Sequence, residues 1–141
     1  NQRKEYNTIK IQNFIAEDLA VLKIITNIKD KLASAKFGKT VDTFVLGQKL
    51  YHASQLHFID GIFSSKEFVK LIMPEVKNEL YLSSILLISG SSGGGIFDEN
   101  GHYRGMVTRF AIRNSMSLFV PDFEIYRVLK TKNLEYILIA K

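Results

Sequence analysis

An all-β fold with one terminal helix is the class this sequence predicts, and three features point to it. Short apolar runs recur along the chain with turn residues between them, the spacing of an antiparallel sandwich or barrel. Several runs alternate polar and apolar residues, as half-buried strands do. The one clear helical spacing stands near the end, after Pro121.

Thr8-Ile9-Lys10-Ile11-Gln12 alternates and predicts the first strand. Leu19 to Ile25 is an apolar run short enough to be a buried strand, and the lysine-rich stretch Asn27 to Lys39 suits a solvated connection. Thr40 to Leu46 alternates again and stops at Gly47. Leu50 to Ala53, Leu56 to Ile59 and Gly61 to Phe63 read as hairpin strands. Glu67 to Leu80 is ambiguous, because Pro74 breaks any long helix there. Ser84 to Ile88 is a further apolar run. Ile96-Phe97 and Gly105 to Thr108 flank Asp98-Glu99-Asn100-Gly101, whose Asn-Gly is a hairpin signal. Ser117 to Val120 predicts the last strand. Asp122 then stands as cap of a helix with Phe123, Tyr126 and Leu129 at helical spacing.

Composition narrows the function classes. With 141 residues, 46% of them hydrophobic, the chain can bury the core of one ordinary domain. No apolar stretch approaches the ~18 residues of a membrane span. The net charge of +5 comes from scattered Lys and Arg, with only Arg3-Lys4 adjacent, whereas nucleic-acid modules concentrate basic residues on a stripe. No cysteine is present, which excludes disulfides, thiol catalysis and thiolate-bound zinc.

The stretch Gly90-Ser91-Ser92-Gly93-Gly94-Gly95 invites several readings. A flexible linker is at odds with its flanks, since apolar segments on both sides must be buried and pin the turn. A phosphate cradle needs Lys and then a helix after the glycines, and neither follows. Gly90-x-Ser92-x-Gly94 fits the nucleophile elbow of α/β-hydrolases, but that elbow leads into a helix, with its acid and histidine both downstream.

The remaining reading is the nucleophile turn of trypsin-like serine peptidases. "SGSSGGGIFDENGHYRGMV" resembles that family's Gly-Asp/Asn-Ser-Gly-Gly-Pro, strand, turn and Gly-apolar-apolar strand. "EDLAVLKI" at Glu17 to Ile24 resembles its segment around the catalytic aspartate. "FGKTVDTFVLG" and "IDGIFSSK" resemble the bridge into the second barrel and its first hairpin, and "LFVPDFEIYRVL" its last strand and terminal helix. The resemblance implies an all-β double β-barrel, with residues 1–35 the terminal strands of the first barrel and residues 36–141 a complete second barrel plus C-terminal helix. It also implies a serine endopeptidase acting on polypeptide substrates, with no cofactor and no metal. The absence of disulfides resembles the bacterial and viral branches, the heat-shock-type peptidases among them.

The resemblance assigns roles residue by residue. Ser92 is the nucleophile, Asp18 orients the histidine, and the backbone amides of Gly90 and Ser92 form the oxyanion hole. Such donors are worth ~2.7–4 kcal/mol each. Glycines at 93 and 94 leave room for a substrate chain. Thr108 supplies the hydroxyl that supports Asp18. Leu86 lies at the floor of the specificity pocket, where an apolar side chain disfavours Lys and Arg. Arg109 and Phe110 stand at its wall.

The sequence departs from the family at several positions. The family order is His, Asp, Ser, yet none of the seventeen residues before Asp18 is histidine. His102 follows the Asn-Gly turn, ~15–20 Å from Ser92 along a strand. His52 and His57 fit the first hairpin of the second barrel as surface or packing residues. The start at Asn1, just before the aspartate-bearing strand, leads to the expectation that an N-terminal segment or separate chain supplies the catalytic histidine. The alternative is a catalytically inactive, peptidase-like binding module. Gly95 replaces the usual proline, and Ser91 replaces the Asp or Asn before the nucleophile, removing a carboxylate that pairs with a freed amino terminus in some members.

Overall fold

In a computed structural model of the chain, residues 5–27, 32–38, 41–54, 58–65, 77–111 and 116–138 are described. The chain divides into two compact units, Asn1–Ser34 and Ala35–Lys141.

The first unit is a hairpin. Strand β1 (Thr8–Phe14) runs through a 3₁₀ turn, Ile15–Glu17, into β2 (Leu19–Ile24). The two pair antiparallel from Thr8↔Ile24 to Phe14↔Leu19, with an irregularity between Lys10 and Gln12. The expectation of a buried second strand is corrected here. Leu19 is the buried residue of β2, while Leu22 and Ile24 are exposed. A two-stranded ribbon has too few neighbours to cover both of its faces.

The second unit is a closed antiparallel β-barrel followed by a helix. Its strands are β3 (Lys49–Ala53), β4 (Phe58–Ser65), β5 (Tyr81–Ser83), β6 (Gly95–Phe97), β7 (Tyr103–Ala111) and β8 (Met116–Pro121). Around the barrel they stand in the order β3-β4-β5-β8-β7-β6. Leu50, Phe63, Tyr81, Ile85, Ile96, Val107 and Phe119 fill the interior. Strand alternation explains most of that set: Leu50 and His52 of β3 point inward, and Lys49, Tyr51 and Ala53 do not. Strand β8 is buried from Ser117 to Pro121 on both faces, and helix α1 (Asp122–Lys130) packs against it and β7.

Two predicted strands are absent. In Thr40–Leu46, residue 40 lies outside the described residues, and 41–46 form no strand. Asp42 Oδ1 accepts the Phe44 N–H, Gln48 Oε1 accepts that of Val45, and Gln48 N–H donates to the Val45 carbonyl. Local side chains thus occupy the backbone groups that a ladder would use. Phe44 alone tucks inward, its ring centroid 5.4 Å from Phe63 and 5.2 Å from Tyr81. In Ser84–Ile88 the same competition operates. The ladder ends at Ser83, whose Oγ accepts the Ile85 N–H at 3.4 Å, while Ser84 Oγ accepts that of Ile62 at 3.0 Å. Of the ambiguous stretch Glu67–Leu80, residues 67–76 lie outside the described residues, as does His57.

A buried ion pair ties the segment before β3 to the barrel and the helix. Arg104 of β7 is 5% exposed and Asp122 is fully buried, with Arg104 Nε donating to Asp122 Oδ2 at 2.8 Å. Arg104 Nη2 donates to Thr43 Oγ1 at 2.9 Å, and the guanidinium lies 4.2 Å over the Phe44 ring. This corrects the reading of Asp122 as helix cap. Pro121 is the cap, without a side-chain hydrogen bond, and Asp122 is the first helical residue. A residue at that position turns its carboxylate to the arginine.

Two phenols are held out of their ordinary range. Burial first, and then the carboxylate of Asp42, raises the pKa of Tyr81; burial first, and then Asp122, raises that of Tyr103. Above about pH 10 the unfolded tyrosines ionise while these two stay protonated. The unfolded state then binds fewer protons. Their contribution to stability is therefore intact below about pH 10 and lost as pH rises toward the folded-state values. Urea midpoints are expected to fall on crossing about pH 10, with a shallower fall in Tyr81→Phe; a midpoint indifferent to that crossing would contradict the account.

Candidate functional site

The glycine-serine turn joins β5 to β6 across residues that carry no charge: between Tyr81 and Phe97 there is no Asp, Glu, Lys, Arg or His. Two of its glycines are demanded by backbone angle, Gly90 with φ 92° and Gly93 with φ 82°, a region that side chains with a Cβ rarely enter. Ser91 holds the turn from inside. It is 2% exposed; its N–H donates to the Ile88 carbonyl, its Oγ accepts the Ile88 N–H, and its carbonyl accepts the Gly94 N–H. The turn is then stitched to β7: Gly93 N–H donates to Val107 O at 2.8 Å, and Val107 N–H to Gly94 O at 3.0 Å.

This framework puts Ser92 on the outside. Its side chain is exposed, and its hydroxyl donates to the Thr108 carbonyl at 3.2 Å. Among the described residues, the N–H groups of Gly90 and Ser92 donate to no protein acceptor. The turn thus offers a hydroxyl and two uncommitted backbone donors within three residues. A strand, β6, leaves the turn rather than a helix, which sets aside the α/β-hydrolase elbow.

The space expected above Gly93 and Gly94 is present at only one of them. Nothing lies within 4 Å of a Cβ built on Gly93, whereas one on Gly94 would stand 2.4 Å from His52 Cε1 and 2.9 Å from the Ser91 carbonyl. Gly94 is therefore a packing glycine. His52 itself is fully buried in β3, with Nδ1 3.2 Å from the Gly95 carbonyl. Its place beneath the turn was not evident from sequence, although inward alternation with Leu50 is the signal that could have found it.

Gly94→Ala is expected to destabilise the barrel by about 1–3 kcal/mol, the usual cost of overpacking. His52→Ala in the same chain should return part of that loss, giving a non-additive double-mutant cycle. Urea denaturation of the four proteins measures it. Strict additivity would remove the contact between ring and turn from the account.

The other predicted residues fall as follows. Thr108 lies at the irregularity in the β7–β8 ladder between Val107 and Arg109, and its hydroxyl donates to Leu118 O at 3.4 Å. Leu86 is 54% exposed. Arg109 is exposed, and the side chain of Phe110 lies outside the described residues. Beyond Val107, residues Arg109–Ala111 have register partners in β8 but none in β6, whose pairing with β7 ends at Gly95↔Met106. Asp18 belongs to the first unit. It is exposed and left-handed, with φ 54°, and its N–H donates to the Ile15 carbonyl at 3.3 Å. His102 closes the β6–β7 turn, with Nδ1 3.4 Å from Asp98 Oδ2.

No protein-family model matches this chain, and no curated protein matches it. What the site can do rests on its own geometry. Among the described residues the Ser92 hydroxyl donates to a carbonyl rather than to a base, and a carbonyl oxygen accepts the hydrogen bond without taking the proton. Among the described residues of the second unit, His52 and His102 are committed to the contacts given above. Among the described residues no helix is long and apolar enough to cross a membrane, and no group of three or more His, Cys, Asp or Glu is placed to hold a metal ion.

Proposed function

We propose that this chain is the C-terminal portion of a trypsin-like serine endopeptidase. In this reading residues 1–35 are the last strands of a first barrel, and residues 36–141 are the second barrel with its helix. The observation that carries it is Ser92 itself: an exposed hydroxyl on a glycine-built turn between two strands, beside two backbone N–H groups with no protein acceptor among the described residues. The closed antiparallel barrel followed by one helix is the architecture the reading requires.

The chemistry assigns each part a task. An imidazole from an upstream segment or a partner chain takes the Ser92 proton as Oγ bonds to the substrate carbonyl carbon. The Gly90 and Ser92 amides hold the oxyanion. The imidazolium returns the proton to the leaving amine as the C–N bond breaks, and water then hydrolyses the acyl-serine. Asp18 is the residue to which the resemblance assigns the orienting of an imidazole. Thr108 enters through its carbonyl, against which the Ser92 hydroxyl rests.

A second reading is a binding module on the same scaffold without catalysis. It is favoured by the carbonyl, rather than a base, that receives the Ser92 hydroxyl. Incubating the full-length protein with a fluorophosphonate probe separates the two. The peptidase reading expects labelling that disappears in Ser92→Ala. A folded, full-length protein that stays unlabelled would leave the binding module.

A further inference from the structure

We infer that Arg109 selects substrates bearing an acidic side chain close to the bond presented to Ser92. The inference rests on the peptidase reading and adds to it a substrate class.

Three observations carry it. The carbonyl that receives the Ser92 hydroxyl belongs to the peptide unit joining Thr108 to Arg109, so the arginine is the residue next along the strand from the nucleophile's contact. The nucleophile's own turn contributes no charge of either sign, being uncharged from Tyr81 to Phe97. Strand β7 carries two arginines in contrasting states. Arg104 is buried and neutralised by Asp122. Arg109 is exposed and, among the described residues, forms no ion pair. A substrate laid against Ser92 therefore meets an uncharged turn, and the residue that follows its Thr108 contact along β7 carries a guanidinium with no ion pair among the described residues.

The chemistry of that group defines what it takes. A guanidinium presents a planar fork of donors that matches a carboxylate with two parallel hydrogen bonds, and it remains charged at any physiological pH. A Lys or Arg side chain on the substrate is repelled by it. The edge of β7 at Arg109–Ala111 has no register partner in β6, and a strand edge of this kind is what an extended peptide adds to. A glutamate or aspartate on the acyl side of such a peptide comes within reach of the fork.

The test measures labelling rates of the full-length protein with peptidyl diphenyl phosphonates. These differ only in carrying Glu, Gln or Lys at one of the acyl-side positions, each position tried in turn. At one position the Glu probe is expected to react about tenfold faster than its Gln partner, as one charge-assisted hydrogen bond would give, and the Lys probe more slowly than either. Arg109→Ala should bring the three rates together, Arg109→Lys should keep part of the preference, and Arg109→Glu should turn it toward Lys. Added salt should shrink the Glu-to-Gln ratio, because the pair is exposed. Labelling that is indifferent to substrate charge, or a Glu preference that survives in Arg109→Ala, overturns the inference while leaving the peptidase reading in place. A protein that reacts with neither these probes nor a simple fluorophosphonate removes the peptidase reading, and this inference goes with it.

Discussion

Replacing Asp122 with alanine is expected to lower the stability of the barrel by about 3–5 kcal/mol, the loss typical of breaking a buried ion pair from one side. The carboxylate is fully buried; Oδ2 accepts from Arg104 Nε at 2.8 Å, and Oδ1 from the Phe123 N–H at 2.9 Å. Without it the Arg104 guanidinium stays buried, with Asp98 Oδ2 3.9 Å from its Nη1. A charge taken out of water and left without its partner is what makes the single change severe. Removing both members with Arg104→Met and Asp122→Leu should recover most of the loss, since a pair replaced by apolar residues no longer strands a charge. Urea denaturation of the three proteins decides the matter. A loss below about 1 kcal/mol in Asp122→Ala would place that pair with the weak surface bridges.

Phe119→Ala should cost a similar amount, about 3–5 kcal/mol, through lost burial and the cavity left behind. The ring is fully buried, with centroids 5.6 Å from Phe44 and 6.0 Å from Tyr81. Phe119 also pairs with Val107, whose carbonyl accepts the Gly93 N–H. The same substitution is therefore expected to speed hydrogen exchange at the Gly93 amide, beyond what a Phe→Ala change in α1 at Phe123 produces. Equal exchange in the two variants would show that the turn does not feel the core.

The strands that could be read from sequence are those whose pattern answers to one nearby cause. Strand β3 buries Leu50 and His52 by alternation, strand β8 is a short apolar run buried on both faces, and the β6–β7 turn is marked by Asn100-Gly101, where Gly101 takes φ 73° and Asp98 Oδ1 accepts the N–H groups of Asn100 and His102. Val45 and Leu46 look like strand residues but are 68% and 75% exposed, because Asp42 and Gln48 divert the backbone first. Alternation records which side chains are apolar; it does not record which hydrogen bonds win.

The site divides along the same line. That Ser92 crowns a turn between strands was legible in the glycines and the apolar flanks. The inward anchor of that turn was not. Ser91 is buried because Ile88 and Gly94 bond to it, and His52 underlies Gly94 from 42 positions upstream. The Arg104–Asp122 pair was hidden for the same reason, since the acid after Pro121 reads locally as a cap, and only the closed barrel brings the arginine beside it.

Closure itself has a kinetic consequence. Strand β6 is three residues long, and it completes the barrel by pairing with β3, where the register partners Ala53 and Gly95 stand 42 positions apart in the chain. Contacts of such separation are entropically slow to form, so all-β topologies that depend on them fold on the longer timescales. The glycine-serine turn leads directly into that closing strand. Pairing of that seam is therefore expected to be among the slower steps in folding the barrel.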